Sequence, residues 1–152
     1  MHLCEKENRW FFFLWGLLNV KYVTQLMINE YGIKEKGIDF MGYSLQKGDI
    51  YTYHHLIIPR RHNGPMTVEN GAILCGKSSH PYLHLIEYYD YDRFLAITSE
   101  MIDQNIKGHL DIENIKYIHD ILQGFEREYS GTRNKKGKPV IKEEYVKRLI
   151  LK

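Results

Sequence analysis

The sequence predicts an α+β fold, and three observations carry the prediction. Between residues 38 and 58 tyrosines and β-branched residues gather in short runs broken by glycine, the pattern of strands, and AILC (72–75) is a further short apolar strand candidate. Apolar residues recur at helical spacing from Asn19 to Tyr31 and in two long segments between Tyr91 and Glu126. The chain has 152 residues, 43% of them hydrophobic, which suits one domain with one core. The expected order is helix, hairpin, loop, strand, helix, then further helices.

Each element has a local reason. WFFFLWGLLNV (10–20) is the most apolar run and reads as a buried first helix or strand. It is shorter than the roughly 20 residues that span a bilayer. A secretory signal is its closest rival, but Glu5 and Glu7 stand where such a signal carries positive charge. Val20, Val23, Leu26, Met27 and Tyr31 then follow a helical stripe that Gly32 stops. IDFMGYSL and DIYTYHHLII, joined by the polar glycine-containing QKGD, read as a hairpin. The polar loop RRHNGPMTVENG follows, then AILC as a short strand. HPYLHLIEYY forms a helix with Ser79 as its cap and Pro81 in its first turn. Two more helices divide at Gly108, the second capped by Asp111. The end, from Ser130, is a polar basic loop that closes in a short helix. The organisation is thus an N-terminal helical segment (1–37), a core (38–90), C-terminal helices (91–126) and a basic tail (127–152).

Composition restrains the function classes. Lysine and arginine total 21 against 19 acidic residues, a net charge of +2, which permits nucleic-acid binding without arguing for it. Cys4 and Cys75 make neither a CxxC pair nor a disulfide framework, so a reducing, cytoplasmic setting is the expectation.

The chemistry gathers around YTYHHLIIP (51–59). Successive strand residues face opposite ways, so His54 and His55 serve two different surroundings. His80 and His84 are four apart on the expected helix, on one face and within reach of a single ion. With His54 they form three imidazoles able to hold one divalent cation and leave positions open for water and substrate. His55 stays free. Its unperturbed pKa near 6.5 suits a general base, and Asn70 in the intervening loop is a plausible amide partner to orient its ring. This is the layout of a one-metal phosphodiesterase. His62, His109 and His119 have no partner at ligand spacing.

HHLIIPRRHNGPMTVENGAILCGKSSHPYLH (54–84) resembles the HNH endonuclease motif, the ββα-metal or His-Me finger that also occurs in bacterial colicin nucleases. The order HH, P, N, LC, H, H carries the resemblance over about a fifth of the chain, and its phage or bacterial associations come with it. The resemblance implies a ββα-metal core with flanking helices. It implies His54, His80 and His84 as metal ligands, His55 as general base, and Asn70 as the residue orienting His55. Many members have aspartate at the position of His54, and the all-histidine set is more similar to the colicin type. Many also hold a structural zinc on two CxxC pairs, which the lone Cys75 does not provide. The implied activity is hydrolysis of DNA to 5′-phosphate and 3′-hydroxyl ends.

Arg60 and Arg61 follow the strand, where guanidinium groups hold phosphate bidentately, and Lys77 is a further phosphate contact. The expected cofactor is one divalent ion (magnesium, manganese, nickel or zinc), and the expected partner is DNA, with no membrane association. Two other readings stay open: a metal-stabilised module that binds nucleic acid without cutting it, and a protein whose aromatic N-terminal run is an interaction or membrane-surface element.

Overall fold

The computed structural model describes residues 21–133 and 139–141, with side chains through Tyr129. The apolar run at residues 10–20 and the expected C-terminal helix lie outside the described residues. The architecture is mixed α+β. Helix α1 covers residues 21–30 and the short α2 is Ile33–Lys36. Strands β1 (Tyr51–His55) and β2 (Gly71–Cys75) pair antiparallel, with His54 opposite Ala72 and His55 opposite Gly71. Helices α3 (Ser79–Tyr89), α4 (Tyr91–Lys107) and α5 (Ile112–Tyr129) follow. Strands β3 (Ser130–Arg133) and β4 (Pro139–Ile141) pair antiparallel in a second ribbon, where the sequence suggested only a basic loop. Among the described residues, no helix is long and apolar enough to cross a membrane.

The core lies between the β1–β2 ribbon and the helices. Every residue of β2 is buried, so its continuous apolar run has no solvent face. α4 buries Phe94, Ile97, Thr98, Met101 and Gln104, and α5 buries Asn114, Ile115, Ile118, Leu122 and Phe125. Both sets follow the helical period that the sequence displayed. Gly108 ends α4 in the left-handed region (φ 77°), and the Asp111 carboxylate accepts from the Glu113 backbone N–H at 2.8 Å, opening α5 as expected.

The expected hairpin between IDFMGYSL and DIYTYHHLII does not form. β1 pairs with β2 instead, across the long loop 56–70, and residues 39–43 make a turn around the buried Asp39. Oδ1 of Asp39 accepts from the backbone N–H groups of Met41 and Tyr43, each at 2.9 Å. Oδ2 accepts from Cys75 N at 2.9 Å and from the Ser79 hydroxyl at 2.5 Å. A buried carboxylate demands donors, and here it takes backbone groups that a ladder would have used. Ser79 is for this reason not the helix cap. Its hydroxyl ties the start of α3 to Asp39, while Ser78 precedes the helix with no side-chain cap bond. Nε2 of His119 reaches Met41 O at 2.9 Å and holds the same turn from α5.

Burial pushes the Asp39 carboxyl above its ordinary range, against the opposing pull of these four donors. Asp39→Asn keeps the shape but aims an amide N–H₂ at donors. The expected result is a loss of about 3 kcal/mol, read as a lower urea midpoint with unchanged slope. A midpoint equal to wild type would remove Asp39 as the anchor between the turn, β2 and α3.

Candidate metal centre

Alternation along β1 sends Thr52 and His54 toward α3, and Tyr53 and His55 away from it. His54 is buried, with only 5% of its surface exposed. The helical four-residue spacing stacks His80 on His84 with ring centroids 5.0 Å apart, and His54 lies 5.2 Å and 5.1 Å from them. One ring nitrogen from each of the three falls within 4.8 Å of the others. The structure thus brings together the three residues that the sequence singled out as ligands.

The donor set fits a divalent cation. Nδ1 of His54 and Nε2 of His80 are 3.3 Å apart. That is close to the separation of two imidazoles each about 2.0–2.1 Å from one ion in a tetrahedral site. Two lone pairs do not face each other at such a distance without a proton or a cation between them. Nε2 of His54 is buried without a hydrogen-bond partner among the described residues. The outer nitrogens of the other two rings are held: Nδ1 of His80 by the Thr52 hydroxyl at 2.7 Å, and Nδ1 of His84 by the Glu87 carboxylate at 3.2 Å. Each therefore keeps Nε2 for a ligand.

Burial, reinforced by the neighbouring imidazoles, pulls His54 down to about 3 and His80 to about 4. Both are neutral at neutral pH, the form that binds metal. In chelator, the protein is expected to lose stability as the pH falls below about 6.5, where the unfolded imidazoles take up protons. The folded rings stay unprotonated until about 4 and about 3, so the unfolded state binds more protons in between and stability rises with pH. His54 alone gives a slope of at most about 1.4 kcal/mol per pH unit. Urea midpoints at pH 5 and pH 7.5 measure this, and equal midpoints would contradict it.

His55, next along the strand, faces a different surrounding. Its ring meets Tyr53 edge-on at 5.0 Å and donates to the Gly64 backbone carbonyl. Burial and the Arg60 guanidinium lower its pKa, while the Gly64 carbonyl opposes them. With one nitrogen engaged as an N–H, the other carries the lone pair that a base requires.

The amide of Asn70 was expected to orient His55 directly, and its contacts are otherwise. Oδ1 accepts from Ile57 N and Ile58 N at 3.0 and 2.8 Å, and Nδ2 donates to Ile58 O and Pro65 O at 3.0 and 3.1 Å. All four sites of the amide are used, leaving none for an imidazole. Asn70 instead clamps the loop that carries Gly64. At Gly64 a Cβ would lie 1.9 Å from Ile58 O, so only glycine allows the approach that delivers its carbonyl to His55.

The short 3₁₀ turn Arg60–His62 exposes Arg60 and Arg61 at the rim of an open groove of about 1590 Å³. His54, His55, His80 and His84 line the same groove, as do Lys21 and Lys34, which sequence reading passed over. Lys77 is not among its lining residues. Its Nζ donates to Gly48 O at 2.7 Å and serves the loop before β1. Sequence reading also missed Thr52, two residues before His54 on the same strand face, and Glu87, three after His84 on the helix. Both spacings were visible, but either residue type is common enough there to carry no signal alone. Compared with known family models, curated proteins and solved structures, the chain matches none.

Proposed function

We propose that this chain is a metal-dependent endonuclease of the HNH, or ββα-metal, type, hydrolysing phosphodiester bonds in DNA. One observation carries the reading: three imidazoles converge as a donor set while the adjacent His55 faces the same groove apart from them, neutral and held by a backbone carbonyl. A purely structural metal site has no need of that fourth histidine. The order β1, β2, α3, with His54 and His55 on β1 and the other two on α3, is the order the motif resemblance implies.

In the proposed reaction, His55 takes a proton from water, and the resulting hydroxide oxygen attacks phosphorus. The bond from phosphorus to the 3′ oxygen breaks, and that oxygen takes a proton from solvent, leaving 5′-phosphate and 3′-hydroxyl ends. His54, His80 and His84 would hold a divalent cation, which would supply positive charge to the phosphate oxygens. Arg60 and Arg61 hold the phosphate chain at the rim, and Lys21 and Lys34 extend the positive lining.

The test is cleavage of supercoiled plasmid in chelator, and then with magnesium, manganese, nickel or zinc restored. Nicking or linearisation that requires metal is expected. Metal uptake without cleavage by folded protein would favour a nucleic-acid-binding module instead. Cleavage indifferent to chelator would overturn the assigned centre.

A further inference from the structure

We propose that Thr52 is a positioning residue that fixes the tautomer of His80 and thereby sets the metal affinity of the three-histidine centre. The inference rests on the reading of His54, His80 and His84 as ligands and adds a residue to it. Oγ1 of Thr52 has two neighbours: Leu74 O at 3.1 Å, in the direction of donation, and Nδ1 of His80 at 2.7 Å. A hydroxyl has one proton. If that proton goes to Leu74 O, the hydroxyl meets His80 as an acceptor, and the imidazole proton must sit on Nδ1. Nε2 of His80 then carries its lone pair toward Nδ1 of His54, 3.3 Å away, where a cation would be shared. The opposite tautomer would put a proton on Nε2 and aim it into the donor set, which closes that nitrogen to metal.

The strand makes this arrangement durable. Thr52 and Leu74 are register partners across the β1–β2 ribbon, so the acceptor for the hydroxyl proton is part of the ladder itself. Thr52 and His54 lie two apart on one face of β1, and His80 opens the first turn of α3. The chain Leu74 O, Thr52 hydroxyl, His80 ring therefore joins both strands to the helix before any ion arrives. Glu87 holds the outer nitrogen of His84 comparably, but on an exposed surface where water competes.

The test compares wild type, Thr52→Val and Thr52→Ser as full chains, titrated with cobalt(II) or zinc(II) alone, beside nitrogen NMR of the metal-free imidazoles. Valine matches threonine in shape and suits a strand, but accepts no hydrogen bond. Its metal Kd is expected to rise about 10- to 100-fold, with serine restoring affinity to within about threefold of wild type. In metal-free wild type, His80 is expected to carry its proton on Nδ1, a readout that holds even if the valine variant fails to fold. An Nε2–H tautomer of His80, or equal affinity in a folded valine variant while wild type binds metal, overturns the role of Thr52 alone. Absence of metal uptake by wild type overturns both this inference and the metal-centre reading.

Discussion

His55→Ala is expected to remain folded, to bind metal within about threefold of wild type, and to cleave plasmid about 10²- to 10⁴-fold more slowly, the span that general-base catalysis contributes. Such a fall is about 3 to 5 kcal/mol of barrier. The separation between binding and rate is what makes the experiment informative. His54 belongs to the face of β1 that looks to α3, whereas His55 meets Tyr53 and the Gly64 carbonyl on the other. Removing the second imidazole leaves the three ligand rings and their contacts with Thr52 and Glu87 in place. Imidazole added to the reaction is expected to restore part of the rate, because the space vacated opens to the groove. Unchanged cleavage would assign the base elsewhere. Lost metal binding would mean that the two faces of the strand are not independent.

The residues of this centre were legible in the sequence because their spacing is a direct consequence of element geometry. Adjacent histidines in a strand must diverge, and a pair four apart on a helix must converge. The helices α4 and α5 were legible for the same reason, since Phe94, Ile97 and Met101 repeat at the helical period and a stop glycine stands at Gly108. The turn at residues 39–43 was not. IDFM reads as a strand by its apolar residues, and only the burial of Asp39 among Met41, Tyr43, Cys75 and Ser79 shows why it does not extend. Two of those four contacts are local, at two and four positions along the chain, and two come from residues more than thirty positions away. The role of Asn70 escaped for a related reason. Its residue type announces hydrogen bonding, but which four groups it meets is decided by the path of a loop that has no periodicity to read.

Asn70 carries the second large expectation. Asn70→Ala removes four hydrogen bonds at once from the loop between β1 and β2, two accepted from Ile57 and Ile58 and two donated to Ile58 and Pro65. The side chain is buried, so water replaces it poorly, and a stability loss of about 2 to 4 kcal/mol is expected. The loop freed by the substitution is the one that brings the Gly64 carbonyl to His55. A shift of that carbonyl by about 1 Å misaims the base and lowers turnover about 100-fold, although Asn70 touches neither His55 nor metal. Metal affinity is expected to persist, because His54 stands on β1 and His80 and His84 on α3, outside the loop. In Asn70→Asp a carboxylate keeps the acceptor for Ile57 and Ile58 but turns an anion toward the carbonyls of Ile58 and Pro65 where an amide had donated. Aspartate is therefore expected to do no better than alanine, both in urea midpoint and in cleavage rate. A fully active aspartate variant would mean that the two accepted bonds alone hold the loop. A fully active alanine variant would mean that Gly64, packed against Ile58, keeps its carbonyl on His55 without any clamp.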